Sequence, residues 1–206
     1  MRGDIYIISA PSGTGKSTVI RKVLKIVPGL FFSISYTTRA LRFKEINGKD
    51  YFFVSKEEFE KLIKEGEFIE YCKVHNNFYG TSRSQVIPLL EKGLDVILDI
   101  DVKGAIRVKE KFPEAILIFM IPPSIEELLK RLEKRHTDSP KELETRLQTL
   151  KEEILYWEYY DYILVNDYIN NTIDNVKSII VSNRLRREKQ ASIIEEIVKN
   201  NILNKL

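Results

Sequence analysis

The chain has 206 residues, of which 43% are hydrophobic and 31% are charged, enough material for one core with lobes or for at most two small domains. Lys and Arg outnumber Asp and Glu by only three, 33 against 30, so the surface is mixed and we expect no nucleic-acid partner. The single cysteine, Cys72, excludes an internal disulfide and a cysteine-rich metal site, and His75 and His136 are too far apart to indicate a histidine metal site.

No stretch approaches the ~18 apolar residues of a membrane span, and the N-terminus leads into a predicted strand without the pattern of a signal peptide. We therefore expect no membrane partner and a cytoplasmic location.

The first predicted elements are a strand over residues 5–8, the stretch SAPSGTGKST at 9–18, and a helical pattern over 19–24. A strand, a glycine-rich turn and a helix in this order are the context of a phosphate-binding loop. The loop N–H groups and the helix N-terminus both favour an anion there. We expect Lys16 to reach the β- and γ-phosphates of a nucleotide and the Ser17 hydroxyl to face Mg²⁺. The predicted nucleotide-binding residues are Ala10, Pro11, Ser12, Gly13, Thr14, Gly15, Lys16, Ser17 and Thr18.

One position departs from the loop pattern G-x-x-x-x-G-K-[ST]. Ala10 stands where the pattern has its first glycine, which costs little if the backbone φ there is negative. The alternative interpretation is a Gly/Ser-rich turn that caps an ordinary helix.

The next region, 34–83, contains short alternating or aromatic strands instead of long apolar runs. One helix is predicted within it, over 55–65, with a capping box formed by Ser55 and Glu58. This pattern predicts a small mixed or antiparallel lobe inserted into the rest of the fold.

Apolar runs without polar alternation recur at 5–8, 96–100, 116–121 and 162–165, as expected for a parallel sheet covered on both faces. Helical patterns separate them, at 84–91 (with Pro88 inside), 102–111, 124–135, from Ser139 onward, and from 173 to about 203. Alternation of strands and helices predicts an α/β core of the doubly wound type. We predict a single domain, 1–206, with the core at 1–33, 84–125 and 156–206, and an arginine-rich helical lid at 126–155. Two inserted lobes favour two ligands enclosed by moving flaps.

Two groups of side chains indicate where a second phosphate group and a metal ion would bind. Arg39 and Arg42 lie three residues apart after a predicted strand, and guanidinium groups bind phosphate oxygens bidentately. Asp99 and Asp101 follow a buried strand, at the end where open α/β sheets bind ligands. Asp99 has the position of a carboxylate that holds Mg²⁺ through water. For both aspartates the alternative is capping of the helix that follows, which does not exclude a role in ligand binding.

The chain resembles the guanylate kinases, which phosphorylate GMP with ATP. The resemblance covers almost the whole chain in order, and its most specific parts are TTR, YGTS and LDID. The stretches that carry it are SAPSGTGKST (9–18), SISYTTR (33–39), NGKDYFFV (47–54), FIEY (68–71), FYGTS (78–82), VILDID (96–101), IPPSIEELLKRLEKR (121–135) and YDYILVND (160–167).

The resemblance implies a P-loop core with a GMP-binding lobe at 34–83, and Mg²⁺ and ATP as cofactor and phosphoryl donor. The implied catalytic residues are Lys16, Arg39, Arg131, Arg135 and Arg146. The implied metal residues are Ser17 and Asp99, the latter through water. The implied GMP-binding residues, which would also take dGMP, are Ser35, Arg39, Arg42, Tyr51, Glu70, Tyr79, Gly80, Thr81 and Asp101.

Four positions depart from the family pattern. Leu41 and Lys44 replace a proline and a glycine of T-R-x-P-R-x-G-E, which makes the shape of that loop less certain. His136 replaces a glycine after the lid arginine, and Thr81 stands where some members have serine. None of these changes removes a charged group.

A phosphate-binding loop also occurs in other classes of protein. A GTPase would need N-K-x-D, which is absent, and Asn166-Asp167 comes closest. The remaining alternatives are a kinase for another phosphate acceptor, a non-catalytic interaction module of the same fold, and an ATP-binding regulator. The C-terminal apolar pattern, 184–206, is compatible with a helix docked on the core or with a homo-oligomer contact.

Overall fold

The computed structural model describes residues 2–74, 76–133 and 140–201, without the side chains of 133, 140–146, 200 and 201. A 3₁₀ turn, Trp157–Tyr159, precedes the last strand. In chain order the strands and helices are β1 (Ile5–Ser9), α1 (Lys16–Ile26), β2 (Leu30–Phe32), β3 (Tyr36–Thr37), β4 (Phe52–Phe53), α2 (Lys56–Lys64), β5 (Phe68–Val74), β6 (Asn77–Ser82), α3 (Arg83–Glu91), β7 (Asp95–Asp99), α4 (Val102–Lys111), β8 (Ile116–Ile121), α5 (Ile125–Glu133), α6 (Pro140–Ile154), β9 (Tyr162–Val165), α7 (Ile169–Arg184) and α8 (Arg187–Asn201).

The core is a five-stranded sheet in the order β2-β7-β1-β8-β9, with every neighbouring pair parallel. This arrangement confirms the predicted α/β class. The short edge strand β2 escaped prediction because three residues carry too little periodic signal.

Alternate side chains of the central strands enter two separate hydrophobic clusters. Tyr6 and Ile8 of β1 pack with α1 and α7 on one face, whereas Ile5 and Ile7 pack with α3 and α4 on the other. Both faces are therefore covered, which is why these strands contain no polar alternation.

Strand β9 corrects the prediction of a fully buried strand at 162–165. Tyr162 and Leu164 pack on the α1/α7 cluster, but Ile163 and Val165 are 40% and 53% exposed. The strand lies at the sheet edge, and only one of its faces is covered in the described part of the chain.

The region between β2 and α3 forms a second sheet, in the order β4-β3-β6-β5. It is mixed, because β3 pairs parallel with β4 and antiparallel with β6. Helix α2 packs on this sheet through Phe59. The Phe59 ring stacks on those of Phe68 and Phe78, with centroids 4.6 and 5.5 Å apart. The predicted cap of this helix is confirmed, since Ser55 Oγ accepts a hydrogen bond of 3.1 Å from the Glu58 N–H.

Helix α5 is capped by Ser124 as predicted, because Ser124 Oγ accepts a hydrogen bond of 3.1 Å from the Glu127 N–H. Its Leu128 and Leu132 pack with Leu150 of α6 in a small separate cluster. The predicted end of this helix at Arg135 lies outside the described residues, as does Ser139, the predicted cap of α6.

The C-terminal helical pattern forms two helices instead of the predicted continuous one. Helix α7 packs on α1 in the core, whereas residues 191–199 of α8 are all exposed. At the break, the carbonyl of Arg184 accepts a 2.8 Å hydrogen bond from the Gln190 side chain. No helix among the described residues is both long and apolar enough to cross a membrane.

Candidate active site

The loop at residues 10–15 joins β1 to α1, and its glycines are required by both conformation and space. Gly13 and Gly15 have φ of +91° and +98°, where residues with side chains are strained. A Cβ at Gly13 would lie 2.8 Å from Leu132 Cδ2, and one at Gly15 would lie 2.8 Å from Asn166 Nδ2. Ala10 has no positive φ, so the replacement of the first glycine of the pattern causes no backbone strain.

A buried asparagine supports this loop from behind. Asn166, 3% exposed, donates a hydrogen bond of 2.5 Å to the Thr14 carbonyl and accepts one of 2.8 Å from the Thr172 hydroxyl. Arg131 Nη1 in turn donates a 2.9 Å hydrogen bond to the Asn166 carbonyl. The predicted lid helix α5 is thereby linked to the loop. Both polar atoms of the Asn166 side chain are thus hydrogen-bonded within the protein, one of them to the loop.

The lysine of the loop contacts the carboxylate at the end of β7. Lys16 Nζ lies 2.5 Å from Asp99 Oδ1, and both side chains are only partly exposed, 19% and 23%. The ion pair places the predicted phosphate-binding cation and the predicted metal carboxylate in the same location.

The second group of carboxylates lies where β5 meets α4. Asp101 caps α4, with Oδ1 accepting a 2.7 Å hydrogen bond from the Gly104 N–H, so the capping interpretation of this residue is confirmed. Glu70 is 3% exposed and accepts a 2.8 Å hydrogen bond from the Thr81 hydroxyl. Burial raises the pKa of Glu70 to about 7, although the Thr81 hydrogen bond lowers it.

The arginines of the inserted lobe have different surroundings. Arg39 forms a bidentate pair with Glu45, at 2.9 and 2.8 Å, and its guanidinium lies 5.4 Å from the ring centres of Tyr51 and Phe53. This hydrogen-bonded pairing lowers the pKa of Glu45. Arg42 makes no such pair with any residue that the structure describes, and it borders the cleft between the two sheets.

That cleft has a volume of about 720 Å³ and contains most of the predicted site residues. Thr14, Arg39, Gly80, Thr81 and Arg131 lie outside its lining. Arg135 lies outside the described residues, as does the side chain of Arg146. The predicted residues that line the cleft are Ala10, Pro11, Ser12, Gly13, Gly15, Lys16, Ser17, Thr18, Ser35, Arg42, Tyr51, Glu70, Tyr79, Asp99 and Asp101.

Comparison with known proteins identifies the family. The family model described as "Guanylate kinase" matches residues 2–183. The chain belongs to the guanylate kinase family.

Individual members of the family are similar over nearly their whole length. The guanylate kinase of Oceanobacillus iheyensis is 45% identical over 201 residues, 98% of either chain. That of Clostridium tetani is 47% identical over 188 residues, 91% of this chain and 90% of its own. The crystal structure of guanylate kinase from Anaplasma phagocytophilum superposes with a TM-score of 0.81 at 34% identity, covering 97% of this chain and 95% of that one. The predicted family is confirmed, and with it the predicted enzyme class, a nucleoside monophosphate kinase that uses ATP and GMP.

Several residues that line the cleft of this guanylate kinase were not predicted from the sequence. Thr149 and Glu153 reach the cleft from α6, and Cys72 and Val74 reach it from β5. Burial raises the pKa of Glu153 to about 7, and the neighbouring positive charge of Lys16 opposes that shift. No sequence motif identifies Glu153. Its helix carries many charged residues, and the sequence does not show which of them face the cleft.

Proposed function

We propose that this protein transfers the γ-phosphoryl group of ATP to the phosphate of GMP, and also of dGMP, in the cleft between the two sheets. One observation carries the proposal. Lys16 of the phosphate-binding loop and the base-reading candidates Glu70 and Asp101 line one continuous cleft. The proposal includes dGMP because none of the contacts proposed below involves the ribose 2′-hydroxyl.

On the donor side, the loop amides and the N-terminus of α1 would hold the ATP phosphates. Lys16 would leave Asp99 and bind the β- and γ-phosphate oxygens, which would replace the carboxylate as its anionic partner. The roles of the remaining loop residues, 10–15 and Thr18, follow from their place in this cradle.

Mg²⁺ fits the same end of the cleft. Ser17 and Asp99 both line it and offer the oxygen ligands that this hard cation prefers. Among the described residues no group of three or more His, Cys, Asp or Glu side chains could form a cage for a metal ion. That agrees with Mg²⁺, which usually takes one or two carboxylates and completes its shell with water and substrate phosphate. When bound, Mg²⁺ would neutralise charge that develops on the transferred phosphoryl group.

On the acceptor side, we assign the GMP phosphate to Arg42, Tyr51 and Tyr79, which line the cleft together. Arg39 lies 5.4 Å from the centre of the Tyr51 ring and is paired with Glu45. Arg39 would bind the GMP phosphate by giving up its pair with Glu45. Because one anionic partner replaces another, the guanidinium stays paired.

The guanine edge would be read by Ser35, Glu70 and Asp101, which line the cleft. Carboxylates accept from the N1–H and N2–H₂ groups of guanine, and the Ser35 hydroxyl would donate to O6. Thr81 is 1% exposed and donates to Glu70, so it acts on the base through that carboxylate. Gly80 leaves room for the lobe core, since a Cβ there would lie 2.8 Å from the Phe68 ring.

Transfer needs no protein nucleophile, because the second pKa of a phosphate monoester is about 6 and the acceptor is mostly ionised near pH 7. Catalysis is then positioning and charge neutralisation. We propose that Lys16, Arg131, Arg135 and Arg146 surround the moving phosphoryl group when the lid closes, while closure excludes water as a competing acceptor.

The test is ADP release from ATP and Mg²⁺ with GMP, dGMP, AMP, UMP, CMP and dTMP offered separately. Turnover with GMP and dGMP alone is expected. Turnover with another acceptor would keep the phosphate-loop assignment and overturn the guanine site. Binding of GMP without turnover would favour the interaction module of the same fold.

A further inference from the structure

One side of helix α4 faces strand β5, which carries Glu70. Asp101, Gly104, Arg107 and Lys111 follow one another at intervals of three, three and four residues, so they lie along the same side of the helix. Gly104 permits close approach, because a Cβ there would lie 3.1 Å from Glu70 Oε2. Lys111 donates a hydrogen bond to a carbonyl of the strand. We call these four residues the α4 stripe.

Two side chains of opposite charge, Glu70 and Arg107, each have buried polar atoms that lack a hydrogen-bond partner among the described residues. Glu70 Oε1 is paired with Thr81, but Glu70 Oε2 has no partner in the described part of the chain. Arg107 has two buried nitrogens, Nε and Nη2, that are likewise without a partner among the described residues. Unpaired buried polar atoms are rare and reduce stability, so their presence on both Glu70 and Arg107 indicates a role for these two side chains.

The charges that face Glu70 act in opposite directions. Burial is the largest influence and raises its pKa, and Asp101 raises it further. Arg107 and Lys111 lower it, as does the Thr81 hydrogen bond from β6. On β5 itself, the Cys72 thiol donates a 3.5 Å hydrogen bond to Asp101, and burial raises its pKa, so it brings no further charge.

Of the two cations on the α4 stripe, Lys111 is already hydrogen-bonded to the strand, whereas Nε and Nη2 of Arg107 have no partner in the described ranges of the chain. We propose that Arg107 is a positioning residue of the guanine site, which holds the Glu70 carboxylate ionised so that it accepts N–H groups of the base. A neutral carboxyl would present an O–H donor to the donors of guanine, which is repulsive. The inference rests on the proposed role of Glu70 as a reader of the base.

The experiment measures the dissociation constant of GMP by calorimetry from pH 6 to 9 for the wild type and Arg107→Gln. The ratio of the two constants cancels the titration of the GMP phosphate itself. Loss of the Arg107 charge raises the pKa of Glu70, so the ratio is expected to be largest at pH 6 and to approach one at pH 9. Each unit of that rise gives about a tenfold ratio at low pH.

Three further variants separate charge from shape. Arg107→Lys keeps the charge and is expected to restore the wild-type profile in large part, and Arg107→Met serves as a second neutral variant if Arg107→Gln does not fold. Lys103→Gln removes one positive charge from an exposed position of the same helix and is expected to leave the ratio near one. A ratio that is independent of pH, or Arg107→Lys behaving like Arg107→Gln, would overturn the inference.

Glu70→Gln distinguishes this inference from the function on which it rests. In that background, Arg107→Gln is expected to have no pH-dependent effect, because the titrating group is gone. If Glu70→Gln kept the wild-type preference for GMP over AMP, the reading role of Glu70 itself would fail. If Glu70→Gln lost that preference while the Arg107→Gln ratio stayed flat, only the role of Arg107 would be overturned.

Discussion

The hydroxyl of Thr81 donates a 2.8 Å hydrogen bond to Oε1 of Glu70, and the two side chains are only 1% and 3% exposed. Thr81, in the YGTS stretch, thus contacts a carboxylate that lines the cleft, although Thr81 itself does not line it. The relationship makes Thr81 a support for Glu70 and gives the first prediction.

Thr81→Val removes the donor and keeps the shape of the side chain. We expect the KM for GMP at pH 7 to rise about tenfold, because a buried hydrogen bond to a charged group contributes roughly 1.5–3 kcal/mol. Thr81→Ser keeps the hydroxyl and serves as the matched control in steady-state assays. Equal KM values for the valine and serine variants would show that the hydrogen bond does not support GMP binding.

Lys16→Met tests the phosphate-binding loop. We expect kcat to fall by about a hundredfold or more, the cost typical of removing one preorganised donor to transition-state charge. Circular dichroism and the melting temperature would show that the fold is retained. Lys22→Met, at an exposed position of the same helix, is the control and is expected to keep the wild-type kcat. Equal activity of the two variants would remove Lys16 from the mechanism.

A buried ionic network at the end of the sheet opposite the loop predicts a loss of stability. Asp95, 4% exposed, accepts 2.8 and 2.7 Å hydrogen bonds from the Asp4 N–H and from Arg184 Nε. Asp95→Ala leaves Arg184 without its carboxylate, and we expect the free energy of unfolding in urea to fall by about 3 kcal/mol.

Glu65→Ala is the control for that measurement, because its ion pair with Lys61 is exposed and 3.8 Å long. We expect a change of less than about 0.5 kcal/mol there. Similar losses for the two variants would show that the network at Asp95 is no stronger than a surface pair.

Much of this architecture can be predicted from local pattern. The glycines of the loop have conformations that only glycine adopts easily, and the runs at β1, β7 and β8 are apolar because both sheet faces are covered. Such features leave a trace at the residues concerned, which is why the fold class and family could be identified.

Features that depend on the approach of distant elements leave no such trace. The exposed face of β9 depends on which strand has a neighbour, and the break between α7 and α8 has no glycine or proline to mark it. The position of Thr81 behind Glu70 depends on the register of β5 with β6. The bounds of the sub-lobes and the roles assigned to single residues therefore stay predictions.

A homo-oligomer contact through helix α8 is one of the two interpretations of the C-terminal apolar pattern, and it stays a prediction. Ile193, Ile194 and Ile197 are 47%, 57% and 49% exposed, and their spacing places them on one side of the helix. We expect light scattering to give the mass of a multimer for the wild type and of a monomer for the double variant Ile194→Glu, Ile197→Glu. Ser192→Glu, at another exposed position, is the control. A monomeric wild type at micromolar concentration would refute this contact.

Glu70 is expected to reduce stability in return for its function. Its pKa of about 7 lies above the value near 4.5 of an unfolded glutamate, so the folded state binds the extra proton between these pH values. The destabilisation is absent below about pH 4.5, grows as the pH rises, and is complete above about pH 7.

Glu70→Gln removes this titration while keeping the size of the side chain. We expect the variant to be more stable than the wild type by about 2–3 kcal/mol at pH 8, with the gain shrinking toward zero at pH 4.5. Urea unfolding of both proteins at several pH values measures the difference. Glu91→Gln, an exposed carboxylate change, is the control and is expected to show no such trend. A difference that did not vary with pH would show that the pKa of Glu70 is the same in the folded and unfolded states, so that its ionisation does not reduce stability.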